Sequence, residues 1–211
     1  MMERLVCVAI GYLFGLFQTA YIYGKLHGID IRNYGSGNAG TTNTLRVLGT
    51  KAGLIVLAGD ILKCILAIAA VRLLFAGGVH EDMYYLLAMY AALGAILGHD
   101  YPFYLGFKGG KGIAVTSAVV MSACHPLMIP IGLAIFIVMV ALTRYVSVGS
   151  LFVAWYIPAN TLILYRDNPY FVHMMILSLI FTALAYFQHR KNIVRLIHGN
   201  ENPLWGNKKE A

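Results

Sequence analysis

The chain has 211 residues, of which 59% are hydrophobic and only 12% are charged. Soluble domains carry about 25% charged residues, so this composition excludes a soluble protein and indicates an all-α, polytopic membrane protein with one domain over residues 1–211. The net charge of +7 does not indicate a nucleic-acid partner, because basic cytoplasmic loops give many membrane proteins the same excess.

Apolar runs of about 20 residues, the length that crosses a bilayer as a helix, predict the membrane spans. A short apolar stretch and a long run interrupted at His125-Pro126 add three shorter candidates, since proline disfavours helix at the residue before it. In chain order the seven predicted spans are 4–24, 52–75, 83–98, 113–124, 126–143, 147–165 and 169–187. Five spans stay open as an alternative, with some of the short segments re-entrant or fused.

The basic residues are distributed unevenly between the predicted loops. One side has only Arg4 and Arg166, beside acidic residues. The other side carries Lys25, Arg32, Arg46, Lys51, Lys108, Lys111, Arg144, Arg190, Lys191, Arg195, Lys208 and Lys209. Since basic loops stay in the cytoplasm, this asymmetry predicts an outside N-terminus and a cytoplasmic C-terminus.

The loop before the second span contains the polar run G-S-G-N-A-G-T-T-N-T-L-R, residues 35–46. Its glycines match the G-x-G-x-x-G pattern of dinucleotide-binding folds, but that pattern requires a preceding strand, and here a membrane span precedes it. We therefore interpret the run as a loop rich in hydroxyl, amide and backbone donors. Arg46 within it can clamp a phosphate through two parallel hydrogen bonds. A loop that merely caps the second span is the alternative.

Asp60 and Lys63 lie inside the second predicted span. They are three residues apart on one helix face, so we expect them to pair. An ionisable residue within a membrane is a functional candidate, and a structural ion pair facing the bundle interior is the equally weighted alternative.

Between the third and fourth spans lies the run G-H-D-Y-P-F-Y-L-G-F-K-G-G-K-G, residues 98–112. Glycine lets successive backbone N–H groups turn toward one point, and lysine beside such a nest adds a charge suited to phosphate. The nucleotide P-loop is excluded, because it needs Ser or Thr after its lysine, whereas Gly112 follows Lys111. The run predicts a phosphate nest, with a basic loop near lipid headgroups as the alternative.

After the last span, His189, Asn192 and Arg195 would share one face of a helix. Imidazole can act as a base near neutral pH, and an amide can orient it or bind a substrate oxygen. An amphipathic tail on the membrane surface is the alternative. Two other phosphate-type segments on the same side favour a site.

The cysteines, Cys7, Cys64 and Cys124, are scattered through apolar runs. This arrangement argues against a disulfide framework or a zinc site, and no cluster of metal-ligating residues stands out. We expect neither a metal nor another cofactor.

Together the three polar segments resemble the motifs of the bacterial membrane glycerol-3-phosphate acyltransferases of the PlsY type, in order and over the whole chain. The matching positions are Ser36, Gly37, Asn38, Gly40, Thr42, Asn43, Arg46 and Gly49; Gly98, His99, Pro102, Phe107, Lys108, Gly109, Gly110, Lys111 and Gly112; and His189, Asn192, Ile193, Arg195, Leu196, Gly199 and Glu201. The runs 60–63 and 147–150 also resemble family positions. Two departures are Leu16-Phe17-Gln18-Thr19, where members often carry Ser-Ile-Pro, and Thr41, where alanine is more usual.

The resemblance implies transfer of a fatty acyl group from acyl phosphate to the sn-1 hydroxyl of glycerol 3-phosphate, giving lysophosphatidic acid and phosphate. It also implies a multi-pass protein of the bacterial cytoplasmic membrane, in contact with lipid, with its active site facing the cytoplasm. A phosphate acyltransferase of the PlsX type, which makes acyl phosphate, is the implied partner.

We assign the roles as follows. The catalytic residues are His189, Asn192 and Lys111; the glycerol 3-phosphate site is Ser36, Asn43, Arg46 and Lys111; the acyl-phosphate site is Lys108, Gly109, Gly110, Gly112 and His99; and further motif positions are Asp60, Lys63, Arg195 and Glu201. His189 is either a general base or a residue that positions the acceptor. A phosphate or organophosphate transporter is the alternative function, although the charged pair at 60 and 63 is its only support and the chain has no visible internal repeat.

Overall fold

The computed structural model of the protein describes residues 1–123 and 127–205, and these residues form an all-helical bundle, as predicted. The α-helices are α1 (Met2–Gly15), α2 (Thr19–Leu26), α3 (Thr41–Leu48), α4 (Thr50–Leu74), α5 (Tyr84–Asp100), α6 (Ile113–Ala123), α7 (Met128–Thr143), α8 (Val146–Ala154), α9 (Tyr156–Tyr165), α10 (Phe171–Gln188) and α11 (Arg190–Ile197). Single 3-10 turns occupy Ile31–Asn33, Glu81–Met83 and Phe103–Leu105. The predicted interruption at His125-Pro126 lies outside the described residues.

Four helical stretches are long and apolar enough to cross a membrane. They are Met2–Leu26, Thr50–Leu74, Val146–Tyr165 and Phe171–Gln188. The remaining predicted spans correspond to α5, α6 and α7, which have 17, 11 and 16 residues. The protein is thus a multi-helix membrane protein, and the number of seven crossings stays a prediction.

Helix α5 lies at the centre of the bundle and packs directly against α1. Gly11 and Gly15 of α1 and Gly94 and Gly98 of α5 face each other so closely that a Cβ on any of them would collide with the opposing backbone. Both helices therefore carry the G-x-x-x-G spacing that lets membrane helices approach through their backbones. This contact fixes the position of the C-terminal end of α5, where His99 lies.

The first predicted span, 4–24, is not one continuous helix. It breaks after Gly15 and resumes at Thr19. The break leaves carbonyls without helical partners, and side chains from elsewhere satisfy them: Tyr104 Oη donates to Leu16 O at 2.6 Å and Lys63 Nζ donates to Phe17 O at 2.9 Å. Such donors are needed where backbone is irregular inside a membrane protein.

The predicted span 147–165 is interrupted at Trp155, three residues before Pro158. A helical proline cannot donate to the carbonyl four residues earlier, which here is Ala154 O. Thr182 Oγ1 of α10 donates to that carbonyl at 2.8 Å and so satisfies the freed acceptor.

The polar run 35–46, predicted as a loop, becomes helical from Thr41 as α3. Its apolar residues pack against α4, where a Cβ on Gly53 would collide with Leu45. The helix ends at Gly49, whose φ of 87° favours glycine. The second half of this run therefore presents a helix N-terminus at Thr41 rather than a loop.

The three polar segments meet at one end of the bundle. Their meeting agrees with the prediction that all three segments lie on the same side of the membrane. Which side of the membrane that end faces stays a prediction.

Candidate active site

A cavity at this end of the bundle is built from all three polar segments. Its walls come from α3, the middle of α4, the end of α5, the start of α6, the start of α8, and α11 with the chain that follows it. The predicted site residues that line it are Ser36, Asn43, Arg46, Asp60, His99, Lys111, Gly112, His189, Asn192, Arg195 and Glu201.

Three helices begin at the cavity wall. The first residues of α3, α6 and α8 line it: Thr41 and Thr42, Ile113 and Ala114, and Val146 and Ser147. The N–H groups of a first helical turn have no intrahelical acceptors, and they carry the positive end of the helix dipole. Three such ends around one cavity make an anion-binding site from the backbone alone.

A chain of hydrogen bonds links the second and third segments. Lys111 Nζ donates to Asn192 Oδ1 at 2.6 Å, and Asn192 Nδ2 donates to Glu201 Oε1 at 2.6 Å. Glu201, which is 4% exposed, also accepts from Arg195 Nε at 2.8 Å and from Ser147 Oγ at 3.2 Å. The carboxylate therefore orders two of the polar groups and one of the cations around the cavity.

Lys111 and Arg46 supply partly buried positive charge to the cavity. Burial lowers the pKa of Lys111 to about 8, with Glu201 acting in the opposite direction. Burial also lowers the pKa of Arg46, although a guanidinium keeps its charge at neutral pH. Arg46 Nη2 donates to Asn202 O at 3.0 Å, while its buried Nε has no partner in the described part of the chain. This N–H is therefore available to donate a hydrogen bond to an anion in the cavity.

His189 lies directly before α11, so the predicted face of His189, Asn192 and Arg195 is formed and lines the cavity. Burial, with the charge of Lys111, lowers the pKa of His189 to about 4, and the ring is therefore neutral at pH 7. Its Nδ1 lies 2.8 Å from Ala185 O. A carbonyl only accepts, so Nδ1 carries the proton and Nε2 presents a lone pair.

The glycines of the second segment do not form the predicted nest at Gly109 and Gly110. The N–H of Gly109 donates to Asp100 O and that of Gly110 to His99 O, each at 3.1 Å, so these groups cap the end of α5 instead. A Cβ on Gly110 would collide with the imidazole of His99. These two glycines are needed because the loop returns so close to α5.

Two other predicted binding residues have surroundings that the sequence did not indicate. Lys108 is exposed and does not line the cavity. Asn43, which is 2% exposed, donates to Ile31 O and Tyr34 O and accepts from the N–H of Ser36, so its amide braces the loop before α3. Asn43 thereby holds Ser36 at the exposed mouth of the cavity.

The predicted pairing of Asp60 with Lys63 is confirmed, and it includes His99. Lys63 Nζ lies 3.0 Å from Asp60 Oδ1 and 2.8 Å from His99 Nδ1. Thr19 Oγ1 donates to Asp60 Oδ1 at 3.1 Å. The side chains of Lys63 and Asp60 are 4% and 1% exposed, so this cluster is a buried ion pair with its hydrogen bonds satisfied.

An apolar groove runs along the outside of the bundle next to this cluster. It is lined by Leu13, Phe14, Phe17, Gly59, Leu62, Lys63 and Leu66. On α4, Lys63 faces the groove while Asp60 faces the cavity. The buried ion pair thus stands between an apolar surface and a cationic cavity.

Sequence reasoning did not assign Ser147 or Thr41 to the site, although both line the cavity. Each is at the start of a helix, and Thr41 follows a glycine-rich run while Ser147 follows the turn at Arg144. The signal that could have found them is a hydroxyl residue at a helix N-terminus beside a basic residue.

A family model described as glycerol-3-phosphate acyltransferase matches residues 5–199. A protein of that name from Thermoanaerobacter sp. is 42% identical over 210 residues, covering 99% of each chain. One from Clostridioides difficile is 40% identical over 212 residues, covering 98% of this chain and 97% of that one.

Among solved structures, the chain is similar to crystal structures of PlsY, described as an integral membrane glycerol 3-phosphate acyltransferase. The glycerol 3-phosphate form superposes with a TM-score of 0.80 at 32% identity and 96% coverage of each chain. The lysophosphatidic acid form superposes with a TM-score of 0.77 at 31% identity, covering 95% of this chain and 94% of that one.

Proposed function

Because this chain belongs to the family of PlsY-type glycerol-3-phosphate acyltransferases, we propose that it transfers an acyl group from acyl phosphate to the sn-1 hydroxyl of glycerol 3-phosphate. The products are 1-acylglycerol 3-phosphate, which is lysophosphatidic acid, and inorganic phosphate. The observation that carries this proposal is one cavity with several cations and three helix N-termini, standing next to an apolar groove.

The cavity suits substrates that carry phosphate. Arg46, Lys111 and Arg195 face it. Among the carboxylates that line it, Glu201 pairs with Arg195 and Asp60 pairs with Lys63. The helix ends of α3, α6 and α8 add backbone donors. Both proposed substrates are anions, so an excess of positive potential is what the reaction needs. The resemblance to a structure of PlsY with glycerol 3-phosphate supports the acceptor's identity.

The groove suits the acyl chain of the donor. Its wall is apolar except at Lys63, and Leu13, Phe17 and Leu62 are more than half exposed on the outside of the bundle. An acyl phosphate can place its chain along this surface, among lipid tails, with its head near the ion pair at the cavity. Binding of the chain then follows from the area of apolar surface it covers.

The reaction proceeds by direct attack. The oxygen of the sn-1 hydroxyl forms a bond to the acyl carbon and the carbonyl oxygen becomes negative. The carbonyl then re-forms as the bond between the acyl carbon and the bridging phosphate oxygen breaks, and phosphate leaves with the electron pair of that bond. Phosphate is a good leaving group, so no serine or cysteine nucleophile is required. Holding both substrates in one cavity supplies proximity, worth up to roughly 7–11 kcal/mol in favourable geometry.

The hydroxyl proton goes to the departing phosphate, and His189 positions the acceptor. A pKa of about 4 makes the imidazole a weak base at neutral pH, because general-base catalysis is most effective when the pKa is near the working pH. The Nε2 lone pair can still accept a hydrogen bond from the hydroxyl and aim its oxygen. His189→Gln, whose kcat and KM separate the two roles, should raise KM for glycerol 3-phosphate much more than it lowers kcat.

We place the enzyme in the bacterial cytoplasmic membrane with the cavity facing the cytoplasm. The basic loops on the side of the cavity support this orientation. A soluble or peripheral phosphate acyltransferase of the PlsX type would then reach the same face as the maker of acyl phosphate.

The test uses purified protein in lipid vesicles with radiolabelled glycerol 3-phosphate and synthetic acyl phosphate. We expect labelled lysophosphatidate, and none when acyl-CoA replaces the acyl phosphate. Product from acyl-CoA alone would contradict the donor. Uptake of glycerol 3-phosphate into the vesicles without any acylation would favour the transporter alternative.

A further inference from the structure

The two histidines that face the cavity are held in opposite proton arrangements by their buried partners. His189 carries its proton on Nδ1, which donates to Ala185 O at 2.8 Å. His99 has a different neighbour at the same atom: its Nδ1 lies 2.8 Å from Lys63 Nζ. An ammonium has three donors and no acceptor, so a charged Lys63 forces Nδ1 of His99 to accept.

The contacts of Lys63 account for all three of its N–H groups. They go to Phe17 O at 2.9 Å, Asp60 Oδ1 at 3.0 Å and His99 Nδ1 at 2.8 Å. A neutral Lys63 would leave Asp60 as an uncompensated charge in a buried place, which is far more costly than an ion pair. Asp60 Oδ1 is 3.8 Å from His99 Nδ1, too long for a hydrogen bond, so it does not compete for that nitrogen.

A neutral His99 therefore carries its proton on Nε2. Among the ring atoms, Nε2 is the one nearest to Gly110, and His99 is one of the residues that line the cavity. No hydrogen bond to this Nε2 occurs among residues 1–123 and 127–205. The two histidines that line the cavity therefore carry their protons on different ring nitrogens, Nε2 in His99 and Nδ1 in His189.

The position of His99 indicates what it donates to. Its partners on α4 divide the groove from the cavity, because Lys63 faces the first and Asp60 the second. An acyl phosphate with its chain in the groove and its phosphate in the cavity has its carbonyl group at this division. The carbonyl oxygen becomes negative during acyl transfer, and a fixed donor at that point stabilises it.

We propose that Lys63, held by Asp60, is a positioning residue that fixes His99 as the Nε2–H tautomer, and that this N–H donates to the carbonyl oxygen of the acyl donor. This assignment rests on the proposed function for its substrate, but the tautomer does not. A neutral ring beside a fixed ammonium can donate without repelling the cations that bind the phosphates.

The direct test is nitrogen-15 NMR of histidine-labelled full-length protein in lipid bilayers, where long-range proton–nitrogen correlations identify the protonated ring nitrogen. His99→Gln and His189→Gln assign the two signals by their loss. We expect Nε2–H for His99 and Nδ1–H for His189 without any substrate. Nδ1–H at His99 in the wild-type protein would overturn the proposal, whether or not any variant folds.

Kinetics test the donor role. His99→Leu should lower kcat about 100-fold or more, the usual effect of losing one such donor, while His99→Gln, whose amide can place an N–H near the same point, should retain more activity. Lys63→Met should lower kcat similarly and add little to His99→Leu, because the two residues act as one unit. The matched control is His173→Gln, an exposed histidine of α10, which should behave as wild type.

The outcomes separate the two proposals. A wild-type protein that forms no lysophosphatidate contradicts the proposed function, and the NMR result still decides the tautomer. A wild-type protein that forms lysophosphatidate, with His99→Leu unchanged in kcat, overturns the donor role alone.

Discussion

Glu201→Gln is expected to move the alkaline limit of activity to lower pH. Gln keeps the size of the side chain and an oxygen that can accept from Asn192 and Ser147, so what is lost is a negative charge and, with it, the ion pair with Arg195. Glu201 is the group that raises the pKa of Lys111 against burial. Removing a nearby opposite charge typically shifts a pKa by about one unit or more, so the pKa of Lys111 should fall below about 8.

The direction of the effect follows from the charge that the substrates need. Lys111 is cationic below its pKa, and activity toward phosphate substrates is therefore lost as pH rises through about 8 in the wild type. At pH 7, a lysine with a pKa of 8 is about 90% charged, whereas one with a pKa of 7 is about half charged. The variant should lose roughly half of its kcat/KM at pH 7 from this cause. The whole alkaline limb of the pH profile, where activity falls as pH rises, should move to lower pH.

The measurement is kcat/KM for glycerol 3-phosphate from about pH 6 to 9 in lipid vesicles, with spontaneous hydrolysis of acyl phosphate subtracted. Lys111→Arg is the matched variant, because guanidinium stays charged throughout this range and should remove the limb. An identical alkaline pKa in the wild type and Glu201→Gln would refute the reasoning. Persistence of the limb in an active Lys111→Arg enzyme would show that another group titrates there.

Three further predictions concern single contacts. Gly110→Ala should lower kcat/KM at least about tenfold by displacing the buried imidazole beside it, whereas Gly78→Ala, where a Cβ meets only ordinary contact, should not. Thr182→Val should lower the free energy of unfolding by about 1 kcal/mol or more, because it leaves Ala154 O, between α8 and α9, unpaired. Thr161→Val should lower it less, because the Thr161 hydroxyl has no partner in the described chain. Arg46→Lys should raise KM for glycerol 3-phosphate about tenfold or more with kcat little changed, since ammonium cannot replace the guanidinium fork; a normal KM would place the acceptor elsewhere.

The sequence predicted the helical membrane class, the location of the long spans and the residues that meet at the cavity. It did so because apolar length and basic loops are local signals, and because three polar segments of unusual composition stand out in an apolar chain. The prediction that residues 189, 192 and 195 share a helix face was right for the same reason, since helical spacing is a local property.

The sequence did not reveal which partners the polar groups of these segments find in the folded chain. Gly109 and Gly110 looked like a nest, but their N–H groups cap α5, and only the folded loop shows which carbonyls lie opposite. Asn43 lines the cavity and also braces its own loop, and its contact with the substrate stays a prediction. Gln18, noted only as a departure, donates to Gly98 O and His99 O across the bundle. Composition does not reveal such long-range pairings.

The helix ends at the cavity also have a consequence for inhibition. The first N–H groups of α3, α6 and α8 belong to the main chain, so most side-chain replacements leave them in place. Proline there would remove a donor, and few other substitutions would. Few substitutions would therefore weaken the binding of a phosphate mimic that gains its affinity from these groups. A compound that depends on Arg46 or Lys111 would lose affinity with one substitution. Alanine scanning would underestimate the contribution of these N–H groups to binding, because alanine keeps its backbone N–H.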